Sequence, residues 1–167
     1  MKAFSRSDEG DRTVEEVFAV VTGQEWAAQR AAALDDDSTL LSREVAVDGG
    51  VTLVISRAVP AGVPGFLQAL LPSNPRAVTT DVWGPSVDGV RRATWTADIT
   101  GTPAKLAGTM VIEPLPGGGS RHTVSGQARV GVPLLGGKAE SFIAEQCARL
   151  AEAEAGVVRS LLNGELG

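Results

Sequence analysis

The stretch of sequence that decides the fold is residues 130–162, VGVPLLGGKAESFIAEQCARLAEAEAGVVRSLL. It breaks at Pro133 and at Gly136-Gly137, and from Lys138 onward apolar side chains recur at steps of three and four, the period of a helix with one apolar face. These positions are Ala139, Phe142, Ile143, Cys147, Leu150, Val157, Val158 and Leu161. About twenty-five helical residues at ~1.5 Å each make a rod of about 37 Å, the width of a small domain. We expect so long a one-sided helix to lie across a wide apolar surface.

Six predicted strands supply that surface. The apolar period changes to two after residue 39, and turn signals such as Asp48-Gly49-Gly50 and Gly117-Gly118-Gly119 separate the runs. The predicted strands span 40–47, 51–59, 77–83, 90–99, 106–113 and 121–132. In the first of them, Leu41, Val45 and Val47 form the apolar face. Short connections between consecutive strands predict antiparallel pairing.

The segment before these strands predicts one short strand, over residues 2–6, and two short helices. Two capping boxes mark the helix starts, Thr13 with Glu16 and Thr22 with Glu25. Gly23 favours two helices over one continuous helix, because glycine costs ~1 kcal/mol inside a helix.

Together these elements predict a single α+β domain over residues 1–167. A curved seven-stranded antiparallel sheet wraps around the long C-terminal helix, and two short helices follow strand 1. The alternate positions of the strands are mostly Thr, Ser, Arg and Gln, so one face of the sheet is expected to meet solvent. A sheet that curves around one helix leaves a gap that the helix side chains need not fill.

Three short segments carry a resemblance to a known family: Pro64-Gly65-Phe66, Val82-Trp83, and residues 132–140, VPLLGGKAE. The order and lengths of the elements resemble the helix-grip fold of START-like proteins, which include polyketide cyclases and lipid-transfer domains. The three segments are similar to those of an uncharacterised bacterial family within that superfamily. The resemblance implies a cavity between the sheet and the C-terminal helix that holds an apolar small molecule. It transfers no catalytic residue.

Composition excludes several classes of protein. The chain has 167 residues, 43% of them hydrophobic, and a net charge of −5 with scattered basic residues, which argues against binding to nucleic acid. The N-terminus is polar, and no run approaches the ~20 apolar residues of a membrane-spanning helix. One cysteine forms no internal disulfide, which favours a cytoplasmic location.

Residues capable of chemistry are few. One histidine and one cysteine cannot build a zinc site, and no nucleophile elbow occurs, so we assign no catalytic residue, metal or cofactor. His122 is either a catalytic base or a hydrogen-bonded or solvated surface histidine. Cys147 lies on the apolar stripe of the helix and is expected to act as a small hydrophobe.

Three arginines share a strand phase with apolar residues: Arg43, Arg57 and Arg91. Each either lies at a strand end and extends its guanidinium to water, or points inward. An inward arginine needs a carboxylate or the anionic head group of a ligand. Arg57 is the first candidate for ligand contact, followed by Arg43 and then Arg91.

We therefore expect the protein to bind a hydrophobic small molecule, lipid-like or polyketide-like. The predicted lining is Leu53, Ile55, Arg57, Trp95, Met110 and Val124 from the sheet, Phe142, Ile143, Cys147 and Leu150 from the helix, and Phe66 and Leu70 from an apolar turn within residues 60–75. That turn is either a lid or a packed connection. The alternatives are a cyclase or dehydratase type of enzyme and an interaction module with a filled core. A cluster of inward titratable residues would favour the enzyme, and in the sequence such residues are dispersed.

Overall fold

The described part of the chain folds into one antiparallel sheet and four helices. The computed structural model describes residues 1–59 and 63–165. The strands are β1 (Lys2–Gly10), β2 (Thr39–Val45), β3 (Val51–Ala58), β4 (Arg76–Trp83), β5 (Arg91–Ile99), β6 (Ala104–Pro114) and β7 (Ser120–Val130), and the helices are α1 (Val14–Val21), α2 (Trp26–Leu34), α3 (Gly65–Gln68) and α4 (Gly136–Leu162). The seven strands pair in the order β1-β7-β6-β5-β4-β3-β2. The predicted architecture, a curved antiparallel sheet with a long C-terminal helix, is confirmed.

Helix α4 packs most closely on β1 and β7, and it also contacts α1 and α2. Its buried positions near those strands include Ala139, Ala144 and Ala148, whose small side chains let the helix backbone approach the sheet. Glu140 is buried there as well and accepts a hydrogen bond of 2.9 Å from the backbone N–H of Val130. It also binds the amino group of Met1, so one carboxylate ties the start of the helix to both strands. In the described ranges, neither α4 nor a shorter helix has the length and apolar character that crossing a membrane requires.

Strand β1 is longer than the sequence predicts, because its charged residues find partners within the fold. It extends to Gly10 and pairs with β7 along its whole length. The Nε atom of Arg6 lies 2.8 Å from Glu152 on α4, and Asp8 pairs with Arg159 on the same helix. The polar stretch that resembles a turn in the sequence is therefore a strand held to α4 by two ion pairs.

The first capping box is confirmed and the second is wrong. Thr13 and Glu16 make reciprocal hydrogen bonds at the start of α1. Thr22 instead ends α1, where its hydroxyl donates a hydrogen bond of 2.7 Å to the carbonyl of Phe18. Helix α2 begins at Trp26 without a side-chain cap. The break between two short helices lies where the sequence predicts it, around Gly23.

The predicted apolar face of β2 is also wrong. The pairing of β2 with β3 shifts register between Leu40 and Ser42, so that Leu41 is the extra residue of a bulge. Leu41 and Val45 are exposed on this edge strand, and Val47 is exposed because it follows the end of β2 at Val45. The lid proposed within residues 60–75 includes residues 60–62, which lie outside the described part of the chain. Beside them, α3 buries Leu67 against the core.

One row of residues crosses the middle of the concave face and makes room for an indole. In the sheet register, Trp95 lies opposite Gly108, and Gly108 lies opposite Gly126. The indole N–H of Trp95 donates a hydrogen bond of 3.1 Å to the carbonyl of Ser125. A Cβ atom on Gly126 would stand 2.3 Å from the Cζ2 atom of Trp95, so the ring occupies the space that a side chain would take.

Replacing Gly126→Ala is therefore expected to displace Trp95 and lower the free energy of unfolding by ~1–3 kcal/mol, the usual cost of overpacking. Urea denaturation followed by circular dichroism measures this loss. Gly131→Ala is the matched control, because a Cβ atom at Gly131 meets no atom within 4 Å. Equal stabilities of the two variants would contradict the role assigned to Gly126.

Candidate functional site

A cavity of about 120 Å³ lies between the concave face of the sheet, α2 and α4. We call it the central cavity. Its wall is mainly apolar, with four charged side chains set into it. The lining residues are Phe4, Trp26, Arg30, Ile55, Arg57, Thr79, Asp81, Trp95, Ala97, Leu106, Met110, Val124, Cys147, Leu150, Ala151 and Glu154. The interior beneath the helix is thus partly vacant, as the sequence predicts.

A second space of about 370 Å³, the lateral cavity, adjoins the first along α4. The two share four lining residues, Trp26, Val124, Ala151 and Glu154. The lateral cavity is larger but is lined by both ion pairs that join β1 to α4, those of Arg6 and Arg159. We place the candidate site in the central cavity because its wall is more apolar and its charges converge there.

The twelve predicted ligand-binding residues fall into three groups. Seven line the central cavity: Ile55, Arg57, Trp95, Met110, Val124, Cys147 and Leu150. Leu70, Phe142 and Ile143 line a separate apolar pocket of about 70 Å³ beside α3. Leu53 is 1% exposed in the core, and Phe66 packs on the cluster around Leu67, so these two line neither space. Three of the predicted residues therefore line the pocket beside α3 and not the central cavity, because α4 passes over both spaces.

The three arginines have different roles. The Nε–H of Arg43 donates to the carbonyl of Thr22 at 2.6 Å. Arg91 lies 3.1 Å from Glu15 and stacks over the ring of Phe18 at 3.9 Å, so it holds α1 to the sheet. Arg57 faces the central cavity, and within residues 1–59 and 63–165 no carboxylate lies within 4.0 Å of it. Burial lowers its pKa from the ordinary value, and the positive charge of Arg30 adds to that shift.

A buried ion-pair network enters the cavity from the helices. The side chain of Arg30 is 3% exposed, and its guanidinium lies 3.0 Å from Glu154 and 3.1 Å from Asp36. The same guanidinium donates to the hydroxyl of Ser38. Burial raises the pKa of Glu154, while Arg30 and then Arg57 oppose that shift. The side chain of Glu154 keeps 33% of its surface accessible, and it lines both cavities.

Asp81 is the most unusual member of the site. It lies on β4 opposite Leu53 on one side and Trp95 on the other, on the concave face. Burial raises its pKa from 3.8 to about 7, and the negative charge of Glu154 adds to the shift, while Arg30 opposes it. In the described ranges, no hydrogen bond or ion pair engages its carboxyl group. The cavity wall thus contains a carboxyl group whose pKa is close to neutral pH.

Sequence reasoning missed Asp81, Arg30 and Glu154. Two of them carried a recognisable signal. Aspartate is rare inside strands, and Asp81 shares the phase of Ala77 and Trp83. Glu154 stands four residues after Leu150, and so interrupts the apolar stripe of α4. Arg30 carried no comparable signal, because an arginine within a short helix is usually solvated.

His122 and Cys147 are held in their neutral forms. Burial lowers the pKa of His122 to about 4, with Asp8 opposing the shift, and raises the pKa of Cys147 to about 11. The Nε2 atom of His122 is buried without a hydrogen-bond partner in the described residues, and its ring lies 6.2 Å from that of Trp83. The prediction of a hydrogen-bonded or solvated surface histidine is therefore wrong at this atom, because β7 turns His122 toward α4. Elsewhere in the described ranges, no group of three or more His, Cys, Asp or Glu side chains is placed to hold a metal ion.

The change Arg30→Met is expected to lower the free energy of unfolding by ~3–5 kcal/mol, because it leaves the carboxylates of Glu154 and Asp36 without their counter-ion. Thermal or urea denaturation measures the loss. The control is Arg149→Met, which breaks an exposed pair with Glu145 and should cost ~0.5 kcal/mol or less. Similar losses in both variants would show that Arg30 does not stabilise the interior.

The change Asp81→Asn is expected to stabilise the protein increasingly as the pH rises from about 4 to about 7. In that range, folded Asp81 keeps its proton while the unfolded chain has lost it, so wild-type stability falls with rising pH. The difference in free energy of unfolding, variant minus wild type, should grow by on the order of 4 kcal/mol, since each of the three pH units contributes ~1.4 kcal/mol. His122 acts in the opposite direction, since lowering the pH from 6.5 to about 4 protonates only the unfolded state. The Asp81→Asn variant keeps His122, so its free energy of unfolding should fall as the pH is lowered from 6.5 to about 4.

Urea denaturation at a series of pH values tests this expectation. The control is Asp98→Asn, because the side chain of Asp98 is 62% exposed and pairs with the likewise exposed Lys105 on the neighbouring strand. Its difference from the wild type should not change with pH. A difference for Asp81→Asn that is constant across the range would contradict the assigned proton.

Solved structures share this fold at low sequence identity. A START superfamily protein from Mycobacterium smegmatis aligns with a TM-score of 0.54 and 16% identity, over 95% of this chain and 98% of that one. Truncated norcoclaurine synthase from Thalictrum flavum aligns with a TM-score of 0.58 and 14% identity, over 96% and 92%. The lipid transfer and protein localization domain of human StarD13 aligns with a TM-score of 0.57 and 15% identity, over 95% and 75%. These likenesses confirm the START-like helix-grip fold.

Sequence similarity places the chain more narrowly. An uncharacterised protein of Mycobacterium tuberculosis H37Rv is 32% identical over 162 residues, which cover 92% of this chain and 92% of that protein. A family model described as a protein of unknown function, DUF2505, matches residues 7–162. The chain therefore belongs to the DUF2505 family.

Proposed function

We propose that the protein binds a small, mainly apolar molecule in the central cavity and that Arg57 contacts an acceptor group on it. The observation that carries this proposal is an apolar cavity of about 120 Å³ with a guanidinium on its wall that has no carboxylate partner among the described residues. An apolar cavity of ~150 Å³ is known to hold benzene, so the central cavity suits one ring or a short chain, and further rings of a bound molecule extend into the adjoining lateral cavity of about 370 Å³.

The wall of the cavity supports this proposal. Ile55, Met110, Val124 and Leu150 offer aliphatic surface, and Trp95 offers an aromatic face. Burying apolar ligand surface contributes ~25 cal/mol per Å² before the losses of ordering. Arg57 adds selectivity more than affinity, because an unpaired buried cation disfavours a ligand without an acceptor.

Charge and cysteine content are consistent with this role. A net charge of −5 with scattered basic residues suits a small-molecule ligand better than nucleic acid. The single cysteine forms no internal disulfide, which suits a reducing compartment, so we propose that the protein acts in the cytoplasm as one domain.

Two matched dyes test the proposal: 1-anilinonaphthalene-8-sulfonate carries an anion, and N-phenyl-1-naphthylamine has the same rings without it. We expect both to gain fluorescence on binding. Met110→Asp should weaken both at least tenfold, because it places a charge in the cavity wall. Arg57→Met should weaken only the sulfonate.

The controls lie on the outer face of the same sheet. Thr109→Asp, on the exposed side of β6, should leave both affinities unchanged, and so should Arg92→Met on β5. Unchanged affinity for both dyes in folded Met110→Asp would overturn the assignment of the cavity. Equal loss of both dyes in Arg57→Met would overturn the role of Arg57.

An enzyme of the cyclase or dehydratase type is the second candidate. Its support is the convergence of Arg30, Arg57, Asp81 and Glu154 on one cavity, because inward titratable groups are what acid–base chemistry needs. The open volume of the two cavities argues against a module with a filled core.

A further inference from the structure

The geometry points to Asp81 as a proton-transfer residue, which removes a proton from an activated carbon of an apolar molecule in the central cavity and returns it elsewhere on that molecule. Three observations carry this inference. The carboxyl group lies on the concave face between Leu53 and Trp95. It lines the cavity, and it has no hydrogen-bond or ion-pair partner in the described part of the chain.

A structural aspartate in this position would normally be paired, because an unpaired buried carboxylate is costly. The neighbouring Glu154 shows the usual solution, with Arg30 at 3.0 Å. Asp81 instead points into open volume, where a bound molecule can reach it. Of the two carboxyl groups in the cavity, Glu154 is therefore paired, and Asp81 has no partner among the described residues. Enzymes separate acid and base roles by giving two carboxyl groups different environments in this way.

The charged and titratable groups that line the cavity with Asp81 come from three elements. Arg57 lies on β3, Arg30 on α2, and Glu154 and Cys147 on α4. Glu154 hinders the ionisation of Asp81 and Arg30 favours it, while burial has the largest effect and raises the pKa to about 7. A base with a pKa near the working pH is present in both forms and can both accept and return a proton.

The reaction class follows from what the cavity contains. Ionised Asp81 takes a proton from a carbon next to a carbonyl group, the C–H electron pair forms a C=C bond, and the carbonyl oxygen takes the negative charge. When this carbonyl compound carries a C=C bond one carbon further along, the ion is a dienolate. Protonated Asp81 then gives the proton to its far carbon, the carbonyl forms again, and the C=C bond moves into conjugation with it. The net result is an isomerisation, in which nothing is oxidised and no co-reactant is consumed. Asp81 lies opposite Leu53 of β3, and Arg57 stands four residues further along that strand. Arg57 can therefore hold a distant acceptor group of the same molecule.

The inference rests on the proposed function, because the substrate must enter the same cavity. The probe 5-nitrobenzisoxazole tests both steps. A carboxylate removes its C3 proton, the C–H electron pair forms the nitrile, and the N–O bond breaks, so that the ring opens to a single coloured product, 2-cyano-4-nitrophenolate. Its entry into the cavity is followed separately, by quenching of the Trp26 and Trp95 fluorescence.

We expect turnover to exceed that of acetate at equal concentration and to rise with pH through about 7. Asp81→Asn should lower the rate at least tenfold while the probe still quenches fluorescence. Asp98→Asn, on an exposed side chain, should leave the rate unchanged. Glu154→Gln should shift the pH midpoint downward, because it removes the negative charge that hinders the ionisation of Asp81.

The possible failures are distinct. Absence of quenching by the probe and of binding by both naphthyl dyes would overturn the proposed function and this inference together. Quenching without turnover above acetate, or turnover that is unchanged in Asp81→Asn, would overturn the role of Asp81 and leave the binding function standing.

Discussion

The structure depends on where α4 touches the sheet. The helix approaches β1 and β7 through a face of small residues, Ala139, Ala144 and Ala148, and it is tied there by the carboxylate of Glu140 and by two ion pairs from β1. Because α4 packs closely on one side of a curved sheet, a gap remains between the helix and the other side of that sheet. The cavities exist because α4 is fixed at β1 and β7 and does not fill the hollow over β3 to β5.

The charged side chains that line that hollow destabilise the folded state. Moving a carboxyl or guanidinium group out of water costs several kcal/mol, and even a paired buried charge is often replaceable by an apolar residue without loss of stability. The central cavity nevertheless holds Arg30, Arg57, Asp81 and Glu154. Arg30 and Glu154 pair with each other at 3.0 Å, whereas Arg57 and Asp81 have no ion-pair partner among the described residues. Buried titratable groups that lower stability in this way are concentrated at ligand-binding sites and active sites.

Solved structures with this fold carry different activities. One structural neighbour is an enzyme, norcoclaurine synthase, and another is a lipid transfer domain. Function therefore has to be argued from the side chains that line the cavity and not from the sheet and helix that enclose it. In this protein the proposal of binding rests on the apolar wall, and the proposal of proton transfer rests on the carboxyl group of Asp81, which has no partner among the described residues.

The periodicity of the sequence alone determined the strand succession, the two short helices around Gly23 and the long terminal helix, because these depend on local spacing of apolar residues. The same spacing identified Trp95, Met110, Cys147 and four other lining residues of the central cavity. The bulge that exposes Leu41 could not be read from the sequence, because a one-residue shift depends on pairing between strands.

Tertiary structure alone decided which charges meet. Arg30, Asp81 and Glu154 are separated by more than fifty residues from one another, and no local pattern links them. They converge because α2, β4 and α4 each contribute one of them to the wall of the central cavity. Burial then sets their protonation and pairing, and burial is a property of the assembled fold, which the sequence of any one element does not contain.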